Sequence, residues 1–263
     1  MFTANRRSVT IKEYGIELET QEPFRVGGVG DPLSEQGNPM AIIGDRVIIP
    51  GPSLKGRYRA ELERYLIEEY MGNELMKPCI PSPKGGLSPD EKALIEGGKY
   101  RKHGGCVYSP SPGKGSANIC PICYLLGAQG LFGFVRVPFL ECTNLPEDLY
   151  SARIDRGTLA VAKGTNRPYQ IVPKGTKFSG KLSVLIEDKV LGWNLGKDRG
   201  KPDLGKSSER KREPLDSWLT KRSWTREEIL TEFVIERLKS ITELGGFKSK
   251  GCGKVKITIS EMG

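Results

Sequence analysis

Residues 49–59 read Ile49-Pro-Gly-Pro-Ser-Leu-Lys-Gly-Arg-Tyr-Arg59. Just before them, "RVIIP" at residues 46–50 is a short extended run. The stretch therefore marks the passage from a strand into a helix. Ser53 is a candidate N-cap, and Leu54, Tyr58, Leu62, Tyr65 and Leu66 recur at helical spacing, with a stop near Met71-Gly72. The first turns carry Lys55, Arg57 and Arg59. A helix N-terminus is already partly positive and favours acidic side chains there. A bound anion would reverse that preference, with the first backbone N–H groups aimed at the same ligand. The plain alternative is a solvated basic helix face.

Working outward, residues 8–20 alternate and predict a strand. Residues 132–140, "FGFVRVPFL", and 176–188, "TKFSGKLSVLIED", predict two more. Thr225-Arg-Glu-Glu228 has the form of a capping box and opens a helix with Ile229, Leu230, Phe233, Val234 and Leu238 on one face. "KVKITIS" predicts a final strand. The order strand, helix, strand, strand, helix, strand is that of an α+β, ferredoxin-like (RNA-recognition-motif-like) βαββαβ core. With both helices on one side of the sheet, the other face is open, and RNA-binding modules of this kind often use it.

Length and composition bound the rest. The 263 residues allow one large domain with insertions, and 33 Gly and 18 Pro imply long loops. Lys plus Arg exceed Asp plus Glu by 41 − 32 = 9, which suits a polyanionic partner. No apolar run approaches the ~18 residues of a membrane span. The first residues carry no apolar signal segment, so the expected location is cytoplasmic, with no membrane partner. A cytoplasmic chain disfavours disulfides for its six cysteines. The single histidine, His103, excludes two-histidine acid/base catalysis within one chain.

Residues 73–130 are rich in Gly, Pro and Ser and too poor in apolar residues to hold themselves together by burial. Within them, His103-x-x-Cys106 and Cys120-x-x-Cys123 form two close pairs across a loop. That spacing suits a structural, tetrahedral Zn²⁺ site, in which Cys79 could replace His103 or Cys106. A chance cluster of thiols and a redox Cys-x-x-Cys are the competing readings. Cys142 and Cys252 read as ordinary small residues. Residues 150–175 predict a basic hairpin or extended loop, and residues 196–214, within a basic stretch 190–222, a mobile charged loop.

Gly245-Gly-Phe-Lys-Ser-Lys-Gly-Cys-Gly253 lies between the last helix and the last strand. The order of elements is the reverse of a Walker A loop, and Gly251 is followed by Cys252 rather than Lys-Ser, so an ATP site is excluded. Gly245, Gly246, Gly251 and Gly253 could still let backbone N–H groups approach phosphates, with Lys248, Lys250 and Lys254 adding charge. A flexible helix-to-strand turn is the alternative.

Taken in this order, "IPGPSLKGRYR", "CPIC…LLGAQG", "RIDRGTLAVAKG" and "LGGFKSKGCGKV" resemble the RAMP superfamily of CRISPR proteins over residues 8–260. The likeness is nearest to the repeated backbone subunit of type III effector complexes. It implies one RAMP domain over residues 1–263 with thumb and lid insertions. It also implies guide (CRISPR) RNA and complementary target RNA as ligands, and copies of itself and other effector subunits as partners. RNA-binding residues would be Ser53, Lys55, Arg57, Arg59, the Gly245–Lys254 loop, and Arg153, Arg156 and Lys163 of a thumb near residues 152–170. In target-cleaving members an aspartate after the first strand is catalytic. "GGVGDPL" puts Asp31 there, with Asp45 a weaker second candidate and Mg²⁺ or Mn²⁺ as the implied cofactor. The implied activity is endonucleolytic cleavage of target RNA at regular intervals. A non-catalytic scaffold and a stand-alone processor of repeat RNA are the alternatives. An Asp-Pro turn is the structural alternative for Asp31.

Overall fold

The structure is a computed structural model that describes residues 8–28, 39–82, 86–102, 104–109, 114–165, 167–200 and 214–262. The strands are β1 (Val9–Thr20), β2 (Ile42–Ile43), β3 (Arg46–Ile49), β4 (Val135–Arg136), β5 (Leu140–Cys142), β6 (Glu147–Ser151), β7 (Arg167–Ile171), β8 (Lys177–Asp188), β9 (Trp193–Asn194) and β10 (Val255–Glu261). The helices are α1 (Gly51–Tyr70), α2 (Pro89–Glu96), α3 (Pro121–Leu126), α4 (Trp218–Lys221), α5 (Arg226–Glu228) and α6 (Glu236–Lys239). A π-helical segment, Ile229–Ile235, joins α5 to α6. The chain divides into two compact units. One comprises Met1–Glu13, Tyr58–Arg136 and Ser183–Arg237, the other Tyr14–Arg57, Val137–Leu182 and Leu238–Gly263.

Hydrogen bonding orders the main sheet β10-β1-β8-β5-β3-β2, with β4 and β9 also paired to β8. Along the chain β1 is followed by α1 and then by β5, yet β8 lies between those two strands in the sheet. Likewise β1 lies between β8 and β10. Each crossover thus skips one strand, the split βαβ arrangement. The fold is α+β with an antiparallel sheet, consistent with a ferredoxin-like RAMP domain.

Period-two alternation sets the two faces. Tyr14, Ile16 and Leu18 of β1, Phe178, Leu182, Val184 and Ile186 of β8, and Val255 and Ile257 of β10 are buried. The opposite side of these strands carries Glu17, Glu19, Lys177, Ser179, Lys181 and Lys256, all at least partly exposed. Lys177 Nζ lies 2.9 Å from Glu17 Oε1. Within these three strands that side has mixed charge and no aromatic ring, while Phe139, beside β5, is exposed.

Two predicted boundaries also change. The strand expected over 132–140 is split into β4 and β5. Pro138, between them, has no N–H to give a ladder. Helix α1 begins at Gly51, so Ser53 sits inside its first turn, with its N–H donating to the Pro50 carbonyl at 2.9 Å. Ser53 is not the N-cap. Pro52 needs no hydrogen bond at that position. A Cβ on Gly51 would stand 3.1 Å from the Val137 and Pro138 carbonyl oxygens, so the close approach of this helix start to the chain favours glycine. The apolar face forms as the spacing predicts: Leu54, Tyr58, Leu62 and Leu66 are buried.

In the first unit, Tyr58 Oη donates to the Phe233 carbonyl at 2.8 Å. Phe233 lies in the π-helical segment, whose wider turns leave carbonyls in need of such partners. Trp218, Trp224 and Tyr65 pack edge-on around the Phe233 ring. The Thr225–Glu228 capping box is present in both directions. Arg199 is buried beneath the rings of Tyr124, Phe134 and Trp193, and its Nη2 lies 2.7 Å from Asp216 Oδ1. Burial pushes the Asp216 carboxyl up, against the pull of Arg199. Asp198 in turn accepts from the backbone N–H groups of Leu215 and Asp216. The expected mobile loop over 196–214 therefore starts and ends on fixed points; residues 201–213 lie outside the described residues.

A buried pair broken on one side leaves an uncompensated charge, which costs ~3–5 kcal/mol. Arg199→Met should destabilise the protein by about that amount in urea denaturation. Arg199→Met combined with Asp216→Leu should recover much of the loss.

Candidate metal centre and nucleic-acid surface

Cysteine sulfurs converge in the first unit. Cys79 follows α1, Cys106 lies in the loop after α2, and Cys120 caps the N-terminus of α3 with Cys123 one turn on. All four are buried, none is in a disulfide, and their sulfurs lie within 4.8 Å of one another. The Cys79–Cys123 separation is 3.4 Å and the Cys79–Cys120 separation 3.6 Å. Zn–S bonds of ~2.3 Å in a tetrahedron require sulfur–sulfur edges of ~3.8 Å. A disulfide would bring two sulfurs to ~2.05 Å. The cluster fits Zn²⁺ and no cystine. Four protein ligands would close the tetrahedron and leave no position for substrate, consistent with a structural zinc.

Backbone and side-chain donors surround the sulfurs. The N–H of Cys123 points to Cys120 Sγ and that of Cys120 to Cys106 Sγ, each at 3.4 Å. Hydrogen bonds among the sulfurs push the Cys79 thiol down and the Cys106 and Cys123 thiols up. Arg59 Nη2 donates to the Cys79 carbonyl at 2.7 Å and approaches Cys79 Sγ at 3.5 Å; its Nε is 2.8 Å from Glu63 Oε1. Burial works against the Arg59 charge, but Cys123, Cys79 and Glu63 more than offset it and raise its pKa. Burial likewise raises Glu63, against Arg59 and the Tyr100 hydroxyl. Arg59 is thus the outer partner of the sulfur cluster, the kind of group that orients ligands and balances their charge.

Sequence reasoning placed Cys79 as a substitute ligand; the structure makes it the fourth sulfur. His103 lies outside the described residues. Arg101 was missed altogether. Its guanidinium donates to the carbonyls of Leu75, Lys77 and Asn118 at 2.6–2.9 Å, tying three segments of the insertion together. No local pattern marks such an arginine. Helix α2 was missed although Ser88-Pro-Asp-Glu91 spells its capping box.

The remaining candidates lie in the second unit. Lys55 is exposed on α1, with Arg57 half-buried beside it. Strands β6 and β7 pair from Glu147↔Ile171 to Ser151↔Arg167 and carry the hairpin tip that was expected. At the tip Asp155 Oδ1 accepts from the Gly157 and Thr158 N–H groups, each at 2.9 Å. These bonds hold its pKa below the usual carboxylate range. Ile154 and Val161 bridge one another, and Leu159 adopts φ 56°. Ile154, Leu159 and Val161 are all exposed, as are Arg153, Arg156 and Lys163.

In the glycine loop, a Cβ on Gly245 would collide with the Arg25 carbonyl oxygen, and one on Gly253 would stand 2.7 Å from the Leu244 carbonyl oxygen. Internal packing therefore already demands these two glycines. Lys248 pairs with Glu243 at 3.6 Å and Lys254 with Glu22 at 2.8 Å. Asp45 occupies the two-residue Gly44-Asp45 turn between β2 and β3, where Gly44 has φ 62°. Asp31 lies outside the described residues. Among those described, no helix is long and apolar enough to cross a membrane.

The fold is thus an antiparallel α+β domain with a four-cysteine insertion and basic loops. The RAMP superfamily profile matches residues 17–256, and the chain belongs to that superfamily. Membership implies an RNA-binding role in CRISPR systems; some members are nucleases. No curated protein matches the chain in sequence.

Metal analysis of the purified protein should return one zinc per chain. Cys79→Ser should abolish that stoichiometry and lower the thermal midpoint, whereas Cys142→Ser and Cys252→Ser should keep the metal. Retention of full zinc by Cys79→Ser would exclude it as a ligand.

Proposed function

We propose that the chain is a guide-RNA-binding backbone subunit of a type III CRISPR effector complex. The observation that carries this reading is the hairpin tip. Ile154, Leu159 and Val161 face solvent on a turn fixed by Asp155, flanked by Arg153, Arg156 and Lys163. Exposed apolar side chains on a rigid basic hairpin suit insertion between stacked bases, with the cations on the neighbouring phosphates. Residues 150–175 would be the thumb, residues 73–130 the zinc-stapled insertion, and residues 190–222 a basic loop with anchored ends. Family membership over residues 17–256 supports guide RNA as the ligand.

Lys55, Arg57 and the Gly245–Lys254 loop would track the guide backbone, without reading its sequence. Splaying a target nucleotide costs a few kcal/mol, recovered from backbone contacts. It would bring a 2′-hydroxyl into line with its adjacent phosphorus. Asp31 would accept the hydroxyl proton or hold Mg²⁺ or Mn²⁺ against the phosphoryl oxygen. Lys55 or Arg57 would face the developing charge. Arg59 would serve the zinc centre.

Within the assembled complex, Asp31→Ala should abolish cutting of complementary RNA while leaving guide and target affinity within about twofold. Cutting that survives the substitution would exclude Asp31 as the catalytic residue. Leu159→Asp should leave guide binding intact but shift or erase the regular spacing of cuts, read as product lengths on a denaturing gel. Unchanged lengths would remove the hairpin from the mechanism.

A further inference from the structure

The glycine loop contains a cluster that charge counting alone does not reveal. Phe247 adopts φ 60°, ψ 28°, a left-handed conformation that is strained for a bulky residue. Two cations approach its ring. Arg25 Cζ lies 4.7 Å from the ring centroid and Lys250 Nζ 4.5 Å. Tyr169, from β7 at the base of the hairpin, meets Phe247 edge-on at 5.1 Å and lies 5.9 Å from Lys250 Nζ.

Arg25 is 5% exposed, and its buried Nη1 has no hydrogen-bond partner; its Nη2 reaches only the Pro39 carbonyl, at 3.4 Å. Among the described residues neither Arg25 nor Lys250 has an ion-pair partner, whereas Lys248 and Lys254 each have one. A buried guanidinium N–H without an acceptor is costly. Two unpaired cations converging on one strained ring form an arrangement completed by an anion carrying a planar group.

We propose that Arg25, Lys250, Phe247 and Tyr169 form a nucleotide subsite for single-stranded RNA. This rests on the guide-RNA reading and names the residues that grip one nucleotide of that strand. Arg25 and Lys250 supply the charge for a phosphate. Exposed Lys250 makes the direct phosphate contact, leaving the ring and uncovering Phe247 for the adjoining base, while the buried Arg25 charge acts from behind the ring. Tyr169 supports the ring from its edge. Because every base has a π-face, the subsite is indifferent to sequence.

The test is titration of the full chain with a short, labelled single-stranded oligoribonucleotide. Phe247→Ala should weaken binding about tenfold, the scale of one lost base stack. Phe247→Trp, which keeps an aromatic ring, should recover most of the affinity that Phe247→Ala loses. The emission that this substitution adds, read as a difference from the unsubstituted chain, should be quenched by RNA. Lys250→Ala should lower the slope of log affinity against log salt by about 0.7. Phe247→Trp carries the test even if Phe247→Ala perturbs the loop. RNA binding that persists while the added indole emission and the Lys250 salt slope stay unchanged overturns the subsite and leaves the guide-RNA reading standing. Failure of the unsubstituted chain to bind RNA overturns both.

Discussion

The four-sulfur cluster is the constraint on which the first unit depends. Among the described residues of 73–130 burial is uneven: α3 is buried throughout, while helix α2 has no buried residue at all. The exposed α2 stretch cannot offset its conformational entropy by packing alone. Zinc bound to four thiolates contributes ~10–16 kcal/mol in small folded sites. That is enough to fix a segment of this kind. Arg59 then couples the cluster to α1, since its guanidinium touches Cys79 and Cys123 from one turn beyond Lys55. The sulfur cluster is thereby joined to α1 from Tyr58 onward, and Arg101 closes loops that the sulfurs do not reach.

The second unit achieves order differently. It uses sheet pairing, a hairpin whose turn is saturated by Asp155, and glycines that admit close backbone approach at Gly245 and Gly253. Two devices expected to meet RNA are physically joined here: Tyr169 of the hairpin stem touches Phe247 of the glycine loop. A nucleotide held at that contact would sense both.

The main elements were legible because their signals are local. The period of Leu54, Tyr58, Leu62 and Leu66, the Thr225–Glu228 box, and the alternation of β1 and β8 each survive folding unchanged. The two Cys pairs pointed to metal through spacing alone. Cys79, a possible replacement for His103 or Cys106 in the sequence, joins Cys106, Cys120 and Cys123 because the chain returns. Other long-range partnerships were not legible. Arg59 looked like a phosphate ligand because its neighbours on the helix are basic, yet its side chain is drawn inward by sulfurs 20 and 64 positions away. Arg199 and Asp216 read as part of a solvated charged loop, and only the fold shows them buried against each other. The strand at 132–140 broke at a proline visible in the sequence, whose cost depends on a ladder that is not.

The central claim is that this cationic, zinc-pinned chain grips the ribose-phosphate backbone so that base pairing selects the transcript. It is tested most directly by purifying the protein from its native cells and sequencing the nucleic acid that travels with it. The account predicts small RNAs of defined length sharing a constant repeat-derived end. Protein free of RNA at low salt, or carrying RNA without a common end, would contradict it.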